Sequence, residues 1–264
     1  MTNEEKEQRF KHPEPDEPYL GRYSHCSMFG ADGHGTAAFT AIGRGGKEYP
    51  LAVVSESGEA KGDAADVLLY FTGPEGAVHS ITGLQGTQDF YVFWSGPDAG
   101  GKWLLRAATF SPVTGFGEPI PLLASEATVS RLNAALLPGG NIFLCWEAIG
   151  PVPEPGCNAA QHALRVQIRG GVRRPGAESP AAVTFSDQVR DAFRPDSAVD
   201  KDGCLWLVWD RYRESRYDVV AAKVPAPAGG EVQVHSVLGR ENEDWNAACL
   251  ADTPSGLTCI WRVT

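Results

Sequence analysis

The chain has 264 residues, 42% apolar and 21% charged, with 30 Gly and 19 Pro; it can bury one sizeable core and is rich in turn formers. A formal net charge of −10 argues against nucleic acid or an anionic membrane surface as partner, because phosphate binding needs a basic stripe. No apolar run approaches the ~20 residues of a membrane-spanning helix, and the acidic N-terminus lacks the apolar core of a signal peptide, which leaves the cytoplasm as the expected compartment.

Residues 1–24 carry Glu4-Glu5-Lys6-Glu7 and Pro13, Pro15 and Pro18, a composition that predicts a disordered polar lead-in. Residues 25–264 then repeat one pattern. In the first unit, about 25–74, His25 to Ile42 reads as a hairpin turning at Asp32-Gly-His-Gly35, followed by the apolar runs Tyr49 to Ser55 and Val67 to Phe71. The second, 75–125, is a hairpin ending at Trp94 with Gln85-Gly86 as its turn, then Trp103 to Phe110 and Pro119 to Leu123. The third, 126–187, turns at Pro138-Gly-Gly140, ends its hairpin at Trp146, and continues with Ala163 to Ile168 and Ala181 to Phe185. The fourth, 188–240, turns at Asp200-Lys-Asp-Gly203, ends its hairpin at Trp209, and adds Tyr217 to Val224 and Val232 to Val237. A partial fifth, 241–264, is a hairpin ending at Trp261.

The four tryptophans are spaced 52, 63 and 52 residues apart, and Ile42 stands 52 before Trp94. A period near 50 with four strands per copy predicts a β-propeller, because one blade buries both faces only when neighbours stack on it. No segment shows a helical period, so the expected fold is all-β, with about four and a half four-stranded antiparallel blades. Such a chain is an incomplete ring, a partner for a second subunit, or a fragment of a longer propeller, the last being favoured.

Within each unit the loop entering the first strand and the loop leaving the second open on one face around the central channel, where a propeller binds its ligand. Arg131, Arg194 and Asn246 share a position there, each 15 residues before its tryptophan. Trp245, Asp196, Glu147, Asp210 and Arg211 stand beside them. These eight are the candidate ligand-binding residues. Guanidinium groups would match a carboxylate-bearing ligand bidentately; the competing reading has Arg131 and Arg194 bridging adjacent blades through Glu147, Asp196 or Asp210. The 63-residue spacing reflects an insertion at 148–161, read as a Pro-rich loop that shapes this face.

Other motifs dissolve on inspection. Gly96 to Lys102 has phosphate-loop spacing, but Trp103 stands where Ser or Thr is needed and a strand follows. Asp200-Lys-Asp202-Gly203 lacks the later Glu of a calcium loop. The six histidines show no metal spacing, so neither metal nor cofactor is expected. Cys145, Cys204 and Cys259 fall in or at the start of second strands, where buried thiols are expected, and Cys157 lies in the insertion.

From Phe193 to Asp210, and on through Ser215 to Ala222, the chain resembles the repeats of bacterial sialidase-like propeller proteins. The resemblance covers about residues 25–264. It implies a propeller, and for an active member a glycosidase in which arginines, here Arg131 and Arg194, hold the carboxylate of an acidic sugar. The nearest string to the Asp-box of those proteins, Gly96 to Trp103, lacks its Ser and Thr and lies between the second and third strands of its unit. The leading expectation is therefore a non-catalytic module binding a carbohydrate or protein partner; the alternative is a sialidase-like glycoside hydrolase using two of Glu147, Asp196, Asp210 and Asp244 as acid and base.

Overall fold

The computed structural model describes residues 19–20, 27–31, 35–44, 46–56, 67–86, 89–153, 162–173, 182–186, 190–213, 216–224, 233–238, 245–253 and 256–263. All regular elements among them are strands. The first blade comprises β1 (Tyr19–Leu20), β2 (Ser27–Ala31), β3 (Gly35–Arg44), β4 (Lys47–Glu56) and β5 (Val67–Thr72). The second holds β6 (Ser80–Gln85), β7 (Phe90–Pro97), β8 (Trp103–Ser111), β9 (Gly115–Phe116) and β10 (Ile120–Ser125). The third is β11 (Ser130–Leu136), β12 (Ile142–Pro153), β13 (His162–Arg173) and β14 (Val183–Thr184). The fourth is β15 (Ala192–Val199), β16 (Leu205–Arg213), β17 (Arg216–Val224) and β18 (Gln233–Leu238); β19 (Trp245–Thr253) and β20 (Gly256–Val263) form a two-stranded fifth. Within every sheet, successive main strands pair antiparallel in chain order, which is the four-and-a-half-blade propeller that the repeat predicts. Tyr19 and Leu20, inside the segment expected not to pack, pair with Gly43 and Ile42 of β3.

The second strand of each blade reads as a continuous apolar run because it is covered on both faces. Ile142 through Ala148 of β12 are all buried, and each fully buried Phe or Leu contributes on the order of 2–3 kcal/mol relative to exposure. Alternation decides which neighbour each side chain meets. Trp94 packs with Phe39 and Ala52 of the first blade, whereas the preceding Phe93 packs with Leu132 and Trp146 of the third. Trp209 likewise packs with Phe143 and Ile168 behind it, while Val208 clusters with Cys259 ahead. The residue after each tryptophan shares the face of the residue before it, so Ser95, Glu147 and Asp210 are turned toward the following blade.

Two sequence expectations change. The insertion is not a loop throughout: β12 continues to Pro153, and Ala148 to Pro153 pair with Gln167 to His162 of β13. The prolines fit because Ile149 N–H points away from β13, to Thr128 Oγ1, and residues two and four further on turn the same way. Pro151 and Pro153 thus lack an N–H only on the open side, where no ladder bond is lost. Cys157 lies outside the described residues. Cys204 and Cys259 are partly exposed rather than buried; Cys145 is buried, and that burial raises its thiol pKa. The strings from Gly96 and Asp200 are turns, each closed by its aspartate: Asp98 Oδ1 accepts from Gly100 N and Lys102 N, and Asp200 Oδ1 from Asp202 N and Cys204 N.

Candidate functional site

The mouth at the third and fourth blades is built by a bulge repeated in both. In the first strand of each, one extra residue interrupts the pairing, between Ser130 and Asn133 and between Phe193 and Asp196. The bulged residues are Arg131 and Arg194, with φ of +47° and +52°. Each side chain turns to the carboxylate that follows the tryptophan of its own blade: Arg131 Nε lies 3.1 Å from Glu147 Oε1, and Arg194 Nε bonds Asp210 Oδ2.

The ion pairs Arg131–Glu147 and Arg194–Asp210 lie within blades, while Arg194 also acts on Glu147 of the preceding blade through its charge and its backbone. Arg194 N–H donates to Glu147 Oε1 at 2.6 Å across the seam between the third and fourth blades. Asn133 Nδ2 donates to Asp196 Oδ1 at 2.6 Å, and Asn133 Oδ1 accepts from Ser197 N and Oγ. Asp196 is thus engaged in the seam. Ser130 Oγ completes the shell of Glu147, 3.4 Å from Oε2.

Burial raises the pKa of Glu147, and the bond from Arg194 N–H, the Arg131 guanidinium and Ser130 offset only part of the rise. Asp210 is completely buried but ion-paired to Arg194. Two carboxyl groups in adjoining blades therefore have different environments, one pushed toward its neutral form and one held against a cation. Arg211, directly across the ladder from Asp218, bonds Asp218 Oδ2 at 3.0 Å, and Arg216 Nε lies 3.8 Å from Asp218 Oδ1.

Asn246 does not share the position of Arg131 and Arg194. It pairs with Arg262, the residue after Trp261, as Ser130 pairs with Glu147 and Phe193 with Asp210, so the equivalent place in the fifth blade falls on Ala247. The one-residue offset arises because the fifth ladder has one pair more beyond its bulge, adding two residues, while three fewer separate its paired strands than in the third and fourth. The side chains of Trp245 and Asn246, and all of Asp244, lie outside the described residues.

Sequence reading missed Tyr217. It stands opposite Tyr212 in the β16–β17 ladder, with ring centroids 5.1 Å apart, and Arg194 Cζ lies 5.8 Å from its centroid. Arg213 pairs with Arg216, and counting outward from that pair places Tyr212 opposite Tyr217 and Arg211 opposite Asp218. Among the described residues no group of three or more His, Cys, Asp or Glu is placed to hold a metal ion.

No protein-family model matches the sequence, and neither does any curated protein. Solved structures do match in fold. An endo-arabinase from Bacteroides thetaiotaomicron is 13% identical, with TM-score 0.52, covering 92% of this chain and 94% of its own. A thermostable family-43 glycoside hydrolase is 12% identical, TM-score 0.51, with 93% and 86% covered. The α-L-arabinofuranosidase Arb93A from Fusarium graminearum is 12% identical, TM-score 0.54, with 87% and 71% covered. These are propeller glycoside hydrolases, and none of the three is a sialidase; at such identities the likeness is one of fold.

Proposed function

We propose that this chain acts on carbohydrate as a glycoside hydrolase, with its site at the mouth of the third and fourth blades. The observation that carries the reading is the pairing of unlike carboxyl groups there: Glu147, whose pKa is raised by burial, and Asp210, held beside Arg194. Separated acid and carboxylate roles are what glycosidic cleavage requires. Glu147 would pass its proton to the leaving glycosidic oxygen as that bond breaks, Asp210 would offset the positive charge that develops at the anomeric carbon, and water would add to that carbon and give up a proton that restores Glu147. The fold shared with an endo-arabinase and a family-43 hydrolase supports a glycan substrate. It supports no particular sugar.

A second reading, a non-catalytic carbohydrate-binding propeller, is favoured by one observation: Glu147 accepts from Arg194 N–H and Ser130, as a purely structural seam residue would. Reducing-end release from arabinan and xylan by the wild type and by Glu147→Gln separates the two. Hydrolysis by the wild type, falling about 100-fold or more in the variant, supports the enzyme. Binding of these polymers without release, or full activity in the variant, overturns the assigned roles.

A further inference from the structure

We propose that Tyr212 is a stacking platform that holds a neutral sugar ring beside the Arg194–Asp210 pair; the proposal rests on the carbohydrate reading above and adds to it a binding residue and a substrate charge. Tyr212 stands two residues beyond Asp210 on β16, on the same face of the strand, and its ladder partner Tyr217 shares that face. Tyr212 is 40% exposed, and Tyr70 is the other tyrosine so exposed among the described residues. Tyr212 is nonetheless fixed. Tyr217 packs on it at an interplanar angle of 56°, and Phe193 meets Tyr217 edge-on with centroids 6.0 Å apart. Arg194 stands against the Tyr217 ring while bonding Asp210. An exposed aromatic group with two side-chain torsions, already braced from behind, loses little freedom on binding. It offers an apolar surface next to a polar group, which matches a sugar: a C–H face to lie on the ring and a hydroxyl rim to meet the half-exposed Arg194 guanidinium.

The charge pattern selects a neutral sugar. Recognition of a ligand carboxylate requires a guanidinium fork available to it. Here the guanidinium beside Tyr212, Arg194, is engaged by Asp210, and Arg211 and Arg216 by Asp218. An acidic sugar would have to compete with the buried Asp210 for Arg194.

Affinity electrophoresis in gels containing arabinan, arabinoxylan, galactomannan or polygalacturonate, with reducing-end release measured in parallel, tests this. The wild type should be retarded by at least one neutral polymer. Tyr212→Ala should weaken that retardation and raise KM roughly five- to tenfold, whereas Tyr212→Phe should stay within about twofold because the ring, not the hydroxyl, carries the contact; circular dichroism melts of both variants establish that they fold. Equal retardation of wild type and Tyr212→Ala overturns the platform while leaving the carbohydrate reading standing. Stronger retardation by polygalacturonate than by any neutral polymer overturns the choice of a neutral sugar. A wild type neither retarded by nor active on any of the four overturns the carbohydrate reading and the platform with it.

Discussion

Arg131 and Arg194 sit in the left-handed region, which costs a residue with a Cβ roughly 1–2 kcal/mol. The bulge holds them there, and glycine would relieve the cost. Urea melts should therefore rank wild type above Arg131→Gly and Arg131→Gly above Arg131→Ala, with the two variants about 1 kcal/mol apart. Arg194→Ala should be costlier, about 2–3 kcal/mol, because it takes the guanidinium from a fully buried carboxylate; Asp210→Asn on that background should recover part of the loss. Glu147 works in the opposite sense. Its raised pKa means that folding favours the protonated acid, so its contribution is fully present below the ordinary value of 4.5 and is lost as pH rises through the raised one. Wild type should lose stability relative to Glu147→Gln across that window, then run parallel to it at higher pH. The carboxylates and arginines were legible from their distance to the tryptophans. The positive φ was not, since an arginine in that conformation leaves none of the Gly or Asn signals by which a left-handed position is read.

At the scale of elements, the hairpins were legible because a strand covered on both faces must be apolar along its length. The extended β12–β13 hairpin was not, because Pro151, Pro153 and Pro155 read as loop-formers when only their composition is weighed. Their spacing of two was the missed signal: prolines at alternate positions suit a strand with one open edge. Parity makes this testable. Val152 has the opposite parity and turns its N–H toward Ala163 of β13. Val152→Pro should cost roughly 1–3 kcal/mol by removing a ladder bond, while Pro151→Ala should change stability by less than about 0.5 kcal/mol. A close approach of backbone sets a second case. A Cβ at Gly96, at the end of β7, would lie 2.1 Å from Ala77 O, in the loop before β6. Gly96→Ala must displace that loop, and a loss of about 1–3 kcal/mol is expected in the same melts.

Across the whole molecule, repetition fixes which face of a blade meets which neighbour, and so places Ser95, Glu147 and Asp210 at successive seams. It does not reveal substrate, because the groups around the mouth come from separate blades and leave no local motif. Charge supplies the remaining discrimination. The chain carries a net −10, and Arg194, Arg211 and Arg216 beside Tyr212 each lie against a carboxylate of the same chain. A polyanionic glycan would thus meet a repulsive overall field, and salt would screen that repulsion. A neutral glycan would meet no net field. KM for a neutral polymer should therefore stay within about twofold between low salt and about 0.5 M NaCl. A KM that climbs steeply with salt would mean that a ligand charge is being recognised, and would return the acidic sugar to first place.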